Sequence, residues 1–118
     1  MEKIIACSSG NSVNSAISII RINGFKNLKE LRPFFSISLE KIEPKKIYSS
    51  NLCFDDSVQD SILFCFFKSP KSYTGENIIE LYVHGNKINV EVIIDNFINL
   101  GGFRLANPGE FSLRALKN

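Results

Sequence analysis

SYTGENIIELYVHGN, residues 72–86, decides how the rest of the chain is read. A polar loop containing Ser72, Thr74, Gly75, Glu76 and Asn77 runs into a strand-forming segment, residues 78–84, which breaks at Gly85. Side chains alternate across a strand, so Ile79, Leu81 and Val83 share one face while Glu80, Tyr82 and His84 share the other. The first face suits a core. The second holds a carboxylate in mid-strand between a phenol and an imidazole, which is costly against an apolar layer unless hydrogen-bond donors reach it. Glu80 therefore requires a partner from elsewhere in the chain.

Upstream, residues 61–67 are an aromatic-rich strand that pairs with residues 47–54 as a hairpin across a polar tip, Asp55-Asp56-Ser57. The aromatic arm belongs inside the sheet. Residues 36–46, which include Pro44, read as a connection. Phe25, Leu28, Leu31 and Phe35 recur at spacings of three and four, predicting a short amphipathic helix that Pro33 ends or distorts. Residues 15–23, SAISIIRIN, predict a strand with Ile17, Ile19 and Arg21 on one face and Ala16, Ser18, Ile20 and Ile22 on the other. Arg21 is a charge on an apolar face, and a snorkelling or edge arginine explains it as well as a functional one. Residues 3–7 predict a first strand, followed by a polar turn at residues 8–12.

Downstream, residues 86–100 contain good strand formers. Even so, apolar residues at 90, 93, 94, 97 and 98 against polar ones at 87, 91, 95 and 99 fit a helix, with Asn86 as cap and Gly101-Gly102 as stop. Residues 103–106 predict a last short strand, and Pro108-Gly109 a turn opening a helix from Glu110. Together these elements predict an α+β fold: a mixed sheet of five or six strands with two or three helices, as a single domain over residues 1–118.

Composition narrows the function classes. The chain is 44% hydrophobic and 22% charged, with ten Phe, as in a globular domain. Its net charge of +2 comes from basic residues scattered along the sequence, which gives little support for nucleic-acid binding. Cys7, Cys53 and Cys65 are far apart and form no CxxC pair, which argues against zinc and for reduced, buried thiols in a cytoplasmic protein. The apolar run at residues 62–67 is too short to cross a bilayer, and no signal-peptide pattern opens the chain, so no membrane association is expected. The phosphate loop GxxxxGK[ST], the GxSxG elbow and the HExxH pair are all missing, and no complete catalytic set is present. His84 lacks an acidic or nucleophilic partner at a useful spacing and reads as a strand-end hydrogen-bonding residue. Glu76 and Glu110 read as turn or helix caps. Tyr73 is placed either to stack on a flat ring or to pack beneath its loop.

SAISIIRINGF (residues 15–25), SYTGENIIELYVHGN (residues 72–86) and RLANPGEFSLRALKN (residues 104–118) resemble, in order and spacing, the N-terminal domain of the MnmE/TrmE tRNA-modification GTPases. The resemblance implies a fold like that of tetrahydrofolate-binding domains, binding of 5-formyl-tetrahydrofolate as one-carbon donor, and homodimerisation. It also implies that helical and GTP-binding domains, the latter using GTP, Mg and K, lie outside this chain. The whole protein would be a GTP hydrolase working with an FAD-dependent partner on the wobble uridine of tRNA, in a carboxymethylaminomethyl-type modification. By the same resemblance the folate contacts fall on Arg21 and Glu80, with a lysine just past Asn118 as a third. Tyr73, Tyr82 and His84 are further candidates, and Arg104 and Arg114 either touch tRNA or simply solubilise the surface.

The chain departs from the family pattern in its first loop, SSGNSVNS, at Gly85-Asn86, and in the ending RALKN. Two rival readings follow: a dimerisation module with a vestigial folate pocket, and a stand-alone folate-dependent one-carbon transfer enzyme.

Overall fold

Six strands form one sheet in the computed structural model, which describes residues 2–8 and 16–118. They are β1 (Ile4–Cys7), β2 (Ile17–Asn23), β3 (Ile47–Phe54), β4 (Ser57–Phe67), β5 (Ile78–His84) and β6 (Arg104–Leu105), in the spatial order β3-β4-β5-β2-β1-β6. The β1–β6 pair is parallel and the other pairs are antiparallel, so the sheet is mixed. A 3₁₀-helix (Leu28–Phe34) follows β2, α1 (Lys87–Gly101) follows β5, and α2 (Glu110–Lys117) follows β6. The α+β expectation holds.

Alternation builds the core. Ile20 and Ile22, Ile62, Phe64 and Phe66, and Ile79, Leu81 and Val83 are buried in one cluster with Leu31 and Phe34 of the 3₁₀-helix and Ile93 and Phe97 of α1. Phe97 is the hub, with ring centroids 5.0 Å from Phe34, 5.4 Å from Phe54 and 5.9 Å from Phe103. Asn86 caps α1 by accepting from the N–H groups of Ile88 and Asn89, and Gly102 ends it in the left-handed conformation that glycine adopts without a Cβ clash. Among the described residues no helix is long and apolar enough to cross a membrane.

Several local expectations are corrected. The hairpin tip is Asp55-Asp56 alone, with φ of 50° and 65°, as a two-residue turn between twisted strands requires. Strand β4 therefore starts at Ser57, and a register shift opposite Leu52/Cys53 absorbs Gln59, hiding the alternation of residues 57–60. The helix after Gly24 is 3₁₀, and it ends one residue past Pro33, which has no N–H to donate to a preceding turn. Of the turn expected at residues 8–12, all but Ser8 lies outside the described residues. Cys65 is buried, whereas Cys7 and Cys53 are only half-buried.

Arg114 does not solubilise a surface: it is 6% exposed. Its guanidinium donates to Glu76 at 3.0 Å and Glu110 at 3.2 Å. Glu76 in turn accepts from Asn23, whose Oδ1 accepts from Thr74. Asn23 sits in register with Ile4 and Ile78 on the face away from α1, so this chain of bonds straps α2 and the loop of residues 68–77 over one end of that face. Arg104, half-buried, forks onto Glu110 at 2.8 and 2.7 Å and reaches Glu2 at 3.0 Å. Neither arginine is a loose surface cation.

Replacing Arg114 by Ala strands Glu76 away from its cation, and a broken buried pair costs roughly 3–5 kcal/mol; urea denaturation should show a loss of that order. The Arg104 hydrogen bonds, followed by the Asn107 N–H, hold the Glu110 carboxyl down at about 2, against an ordinary 4.5. A depressed carboxyl contributes stability that is present above its unfolded value and is lost as pH falls through its folded one. The stability gap between the native chain and Glu110→Gln should therefore be full above about pH 4.5 and close as pH falls toward about 2, measured by denaturation at a series of pH values.

Candidate functional site

Register creates the site. In the antiparallel β2–β5 pair Arg21 lies directly across from Glu80, and β4 continues the row with Cys65. All three point away from the α1-covered core, as period two requires once Ile20, Ile22, Ile79 and Leu81 point into it. Arg21 Nη2 donates to Glu80 Oε2 at 3.0 Å, and the Tyr82 hydroxyl donates to Glu80 Oε1 at 2.9 Å. The partner that Glu80 requires is thus supplied twice. Each carboxylate oxygen keeps a second lone pair, so Glu80 remains able to accept further donors.

The pair is partly shielded, with side-chain exposures of 23% for Arg21 and 18% for Glu80. Burial, then the hydrogen bond and charge of Glu80, push the Tyr82 phenol well above its ordinary range. Burial and the Glu80 charge also push up the Cys65 thiol. Beyond Glu80 the Arg21 guanidinium lies over two rings, 5.6 Å from the centroid of Tyr73 and 5.4 Å from that of Phe111. The Tyr73 hydroxyl is 3.0 Å from Ser112 Oγ, tying the loop of residues 68–77 to α2. Arg21 Nε is buried and has no hydrogen-bond partner among the described residues. A cleft of about 330 Å³ opens here, lined by Ser8, Arg21, Tyr73, Gly109, Phe111 and Ser112.

The structure thus brings Arg21, Glu80, Tyr82 and Tyr73 together, although only Arg21 and Tyr73 line the cleft itself. His84 is not among them. It is largely exposed and its Nδ1 lies 2.6 Å from Asp60, an acidic partner that the sequence reading did not find. Burial opposes ionisation of Asp60, but hydrogen bonds from the His84 N–H, Asn89 and the His84 ring hold its carboxyl below the ordinary value. Asn89 also donates to the His84 carbonyl, so this network ties the start of α1 to β4 and β5. Phe111 and Ser112 were likewise missed. Phe111, Arg114 and Ala115 fall at helical spacings of three and four, and that shared face was the available signal. Among the described residues no group of three His, Cys, Asp or Glu side chains is placed to hold a metal ion.

The model of the family described as GTP-binding protein TrmE N-terminus matches residues 3–118. The chain belongs to this TrmE N-terminal family. Among curated relatives, the tRNA modification GTPase MnmE of Buchnera aphidicola subsp. Cinara cedri is 42% identical over 104 residues, covering 88% of this chain and 22% of the relative. The MnmE of Fervidobacterium nodosum is 38% identical, covering 99% of this chain and 26% of the relative. That of Thermosipho melanesiensis is 35% identical, covering 100% and 26%. The chain thus spans about a quarter of the length of the curated relatives it matches. In this TrmE N-terminal domain the Arg21–Glu80 row lies on the face of the sheet away from α1.

Replacing Glu80 by Gln removes the negative charge beside Tyr82 but keeps an acceptor of the same shape. The Tyr82 titration midpoint should then fall toward the ordinary tyrosine value while burial keeps it somewhat high, as read by NMR of ring-labelled tyrosine. An unchanged midpoint would mean that the carboxylate does not govern the phenol.

Proposed function

We propose that this chain binds a reduced folate, 5-formyl-tetrahydrofolate, at the Arg21–Glu80 centre and pairs with a second copy beside that site. On this reading it is the N-terminal part of a GTPase that modifies the wobble uridine of tRNA, in a carboxymethylaminomethyl-type reaction. The observation that carries it is the partly shielded Glu80 carboxylate paired at 3.0 Å with an arginine that lines the cleft. The donor set suits the ligand. A pterin presents neighbouring N–H groups that a carboxylate accepts as a charge-assisted pair, and the cleft-lining Arg21 guanidinium and the Tyr73 and Phe111 rings offer donors and flat apolar walls to the rest. When bound, the folate would supply the one-carbon unit. The residues of this chain orient it and exclude water, while GTP hydrolysis with Mg and K, and contact with tRNA and an FAD-dependent partner, belong to the longer protein.

Dimerisation has its own physical support. Ile47 and Leu63 are 63% and 45% exposed, and the sheet register puts them on the same face as Glu80, Leu63 directly across from Tyr82. A folate with its aminobenzoyl-glutamate tail is more extended than a cleft of about 330 Å³ can enclose, so a second subunit on this face would complete the walls. Folate would then favour the dimer, and the dimer would tighten folate.

Losing a charge-assisted hydrogen bond costs roughly 1.5–3 kcal/mol, or about tenfold to a hundredfold in affinity. Calorimetry with 5-formyl-tetrahydrofolate should show that loss in Glu80→Ala without matching loss of fold. Unchanged affinity would remove Glu80 from the site, and no binding by the native chain would leave a dimerisation module with a vestigial pocket. Sedimentation velocity across a concentration series should show a dimer strengthened by the folate; a strict monomer that binds folate would show that the pocket closes without a partner.

A further inference from the structure

A second cleft, of about 500 Å³, lies between the 3₁₀-helix, the connection at residues 36–46 and the end of β4. Its floor is apolar, built from Leu28, Ile42 and Phe66, and Phe66 projects from the face of β4 opposite Cys65, so this cleft is separate from the Arg21–Glu80 row. Its rim is basic. Lys26, Lys29, Arg32 and Lys68 line it against the single carboxylate of Glu40, an excess of three positive charges where the whole chain carries only +2. Lys26, Lys29 and Arg32 come from one short stretch of sequence, and the fold brings Lys68 to join them.

Nearby acidic charge is directed elsewhere. Glu30 accepts from Lys3 at 3.1 Å and from the backbone N–H of Lys26 at 2.7 Å in a capping box, and Glu43 pairs with Lys46. The 3.4 Å contact between Arg32 and Glu40 is exposed and weak in consequence. The rim is held in shape by Asn77, whose amide donates to the carbonyls of Phe25 and Lys26 at 3.1 and 2.9 Å.

We propose that this cleft is a docking site for an acidic segment of a partner protein that inserts an apolar side chain between the lysines. Charge complementarity selects the acidic character, and the apolar floor selects a peptide over a nucleic-acid strand, whose phosphates gain nothing from burial against Leu28 and Ile42.

The test uses isotope-labelled chain and three probes: an acetylated heptapeptide of sequence DEFDELE, a pentaglutamate of equal charge, and an oligouridylate of equal charge. The heptapeptide should shift the amide resonances of Leu28, Lys29, Ile42 and Lys68. Its affinity should fall roughly tenfold in the doubly charge-reversed variant Lys26→Glu, Lys29→Glu, and also in Ile42→Ser. The exposed lysines make the first variant safe for the fold should the second prove unstable. Equal binding of pentaglutamate would reduce the cleft to a non-specific charged patch, tighter binding of oligouridylate at the same resonances would make it a nucleic-acid surface, and no shifts with millimolar heptapeptide would end the proposal.

Discussion

The alignment of Arg21 with Glu80 across the β2–β5 pair is the constraint on which the site depends. A slip of one residue would turn Arg21 and Glu80 into the core and expel Ile20, Ile22, Ile79 and Leu81, all fully buried. Burying even one such side chain contributes about 1.5–3 kcal/mol, whereas a half-exposed ion pair contributes about 0–1 kcal/mol. The hydrophobic face therefore sets the register, and the ion pair is carried into place by it. The pair is a consequence of the core, and this frees its residues to serve a ligand instead of the fold.

Much of this was legible because each strand announces its own faces. SAISIIRIN and IIELYVH each show one polar residue or group opposite an apolar stripe, and Asn86 and Gly102 bracket α1 as their chemistry demands. What could not be read was which residue meets which. Arg21 and Glu80 are fifty-nine positions apart, and nothing local states their register. Asp60 falls just outside the arms legible in the sequence, residues 47–54 and 61–67, because the bulge at Gln59 breaks the alternation that would have shown Asp60 in a strand near His84. For Arg114 the sequence offers only a tRNA contact or a solubilising surface cation, because its counter-charges, Glu76 and Glu110, look like caps; Glu110 does accept from the Asn107 N–H, but both also neutralise a buried guanidinium.

That guanidinium links stability to the site. Phe111 and Ser112, which wall the cleft beside Arg21, stand on the same helix turn that Arg114 and Glu110 hold down. Tyr73, which also lines the cleft, belongs to the loop that Glu76 anchors through Asn23 and Arg114. Loosening the cluster would move both aromatic walls at once, so a lesion that never touches the cleft would still widen it. The core face has no such dependence, since α1 and the 3₁₀-helix pack on it through Phe97 and Phe34.

Glu80 is already engaged by Arg21 and Tyr82, and this decides what kind of ligand the centre can take. A ligand that had to displace both donors would strand a guanidinium and a phenol in a half-shielded place, at a cost comparable to what its own hydrogen bonds return. A ligand that uses the second lone pairs of the carboxylate, and offers an acceptor to the part of the Arg21 guanidinium that lines the cleft, adds bonds without breaking any. The binding group should therefore carry donors and an acceptor on one flat edge, with a planar body to lie against Tyr73 and Phe111. A simple anion meets only half of that requirement, because it would serve Arg21 while repelling Glu80 3.0 Å away.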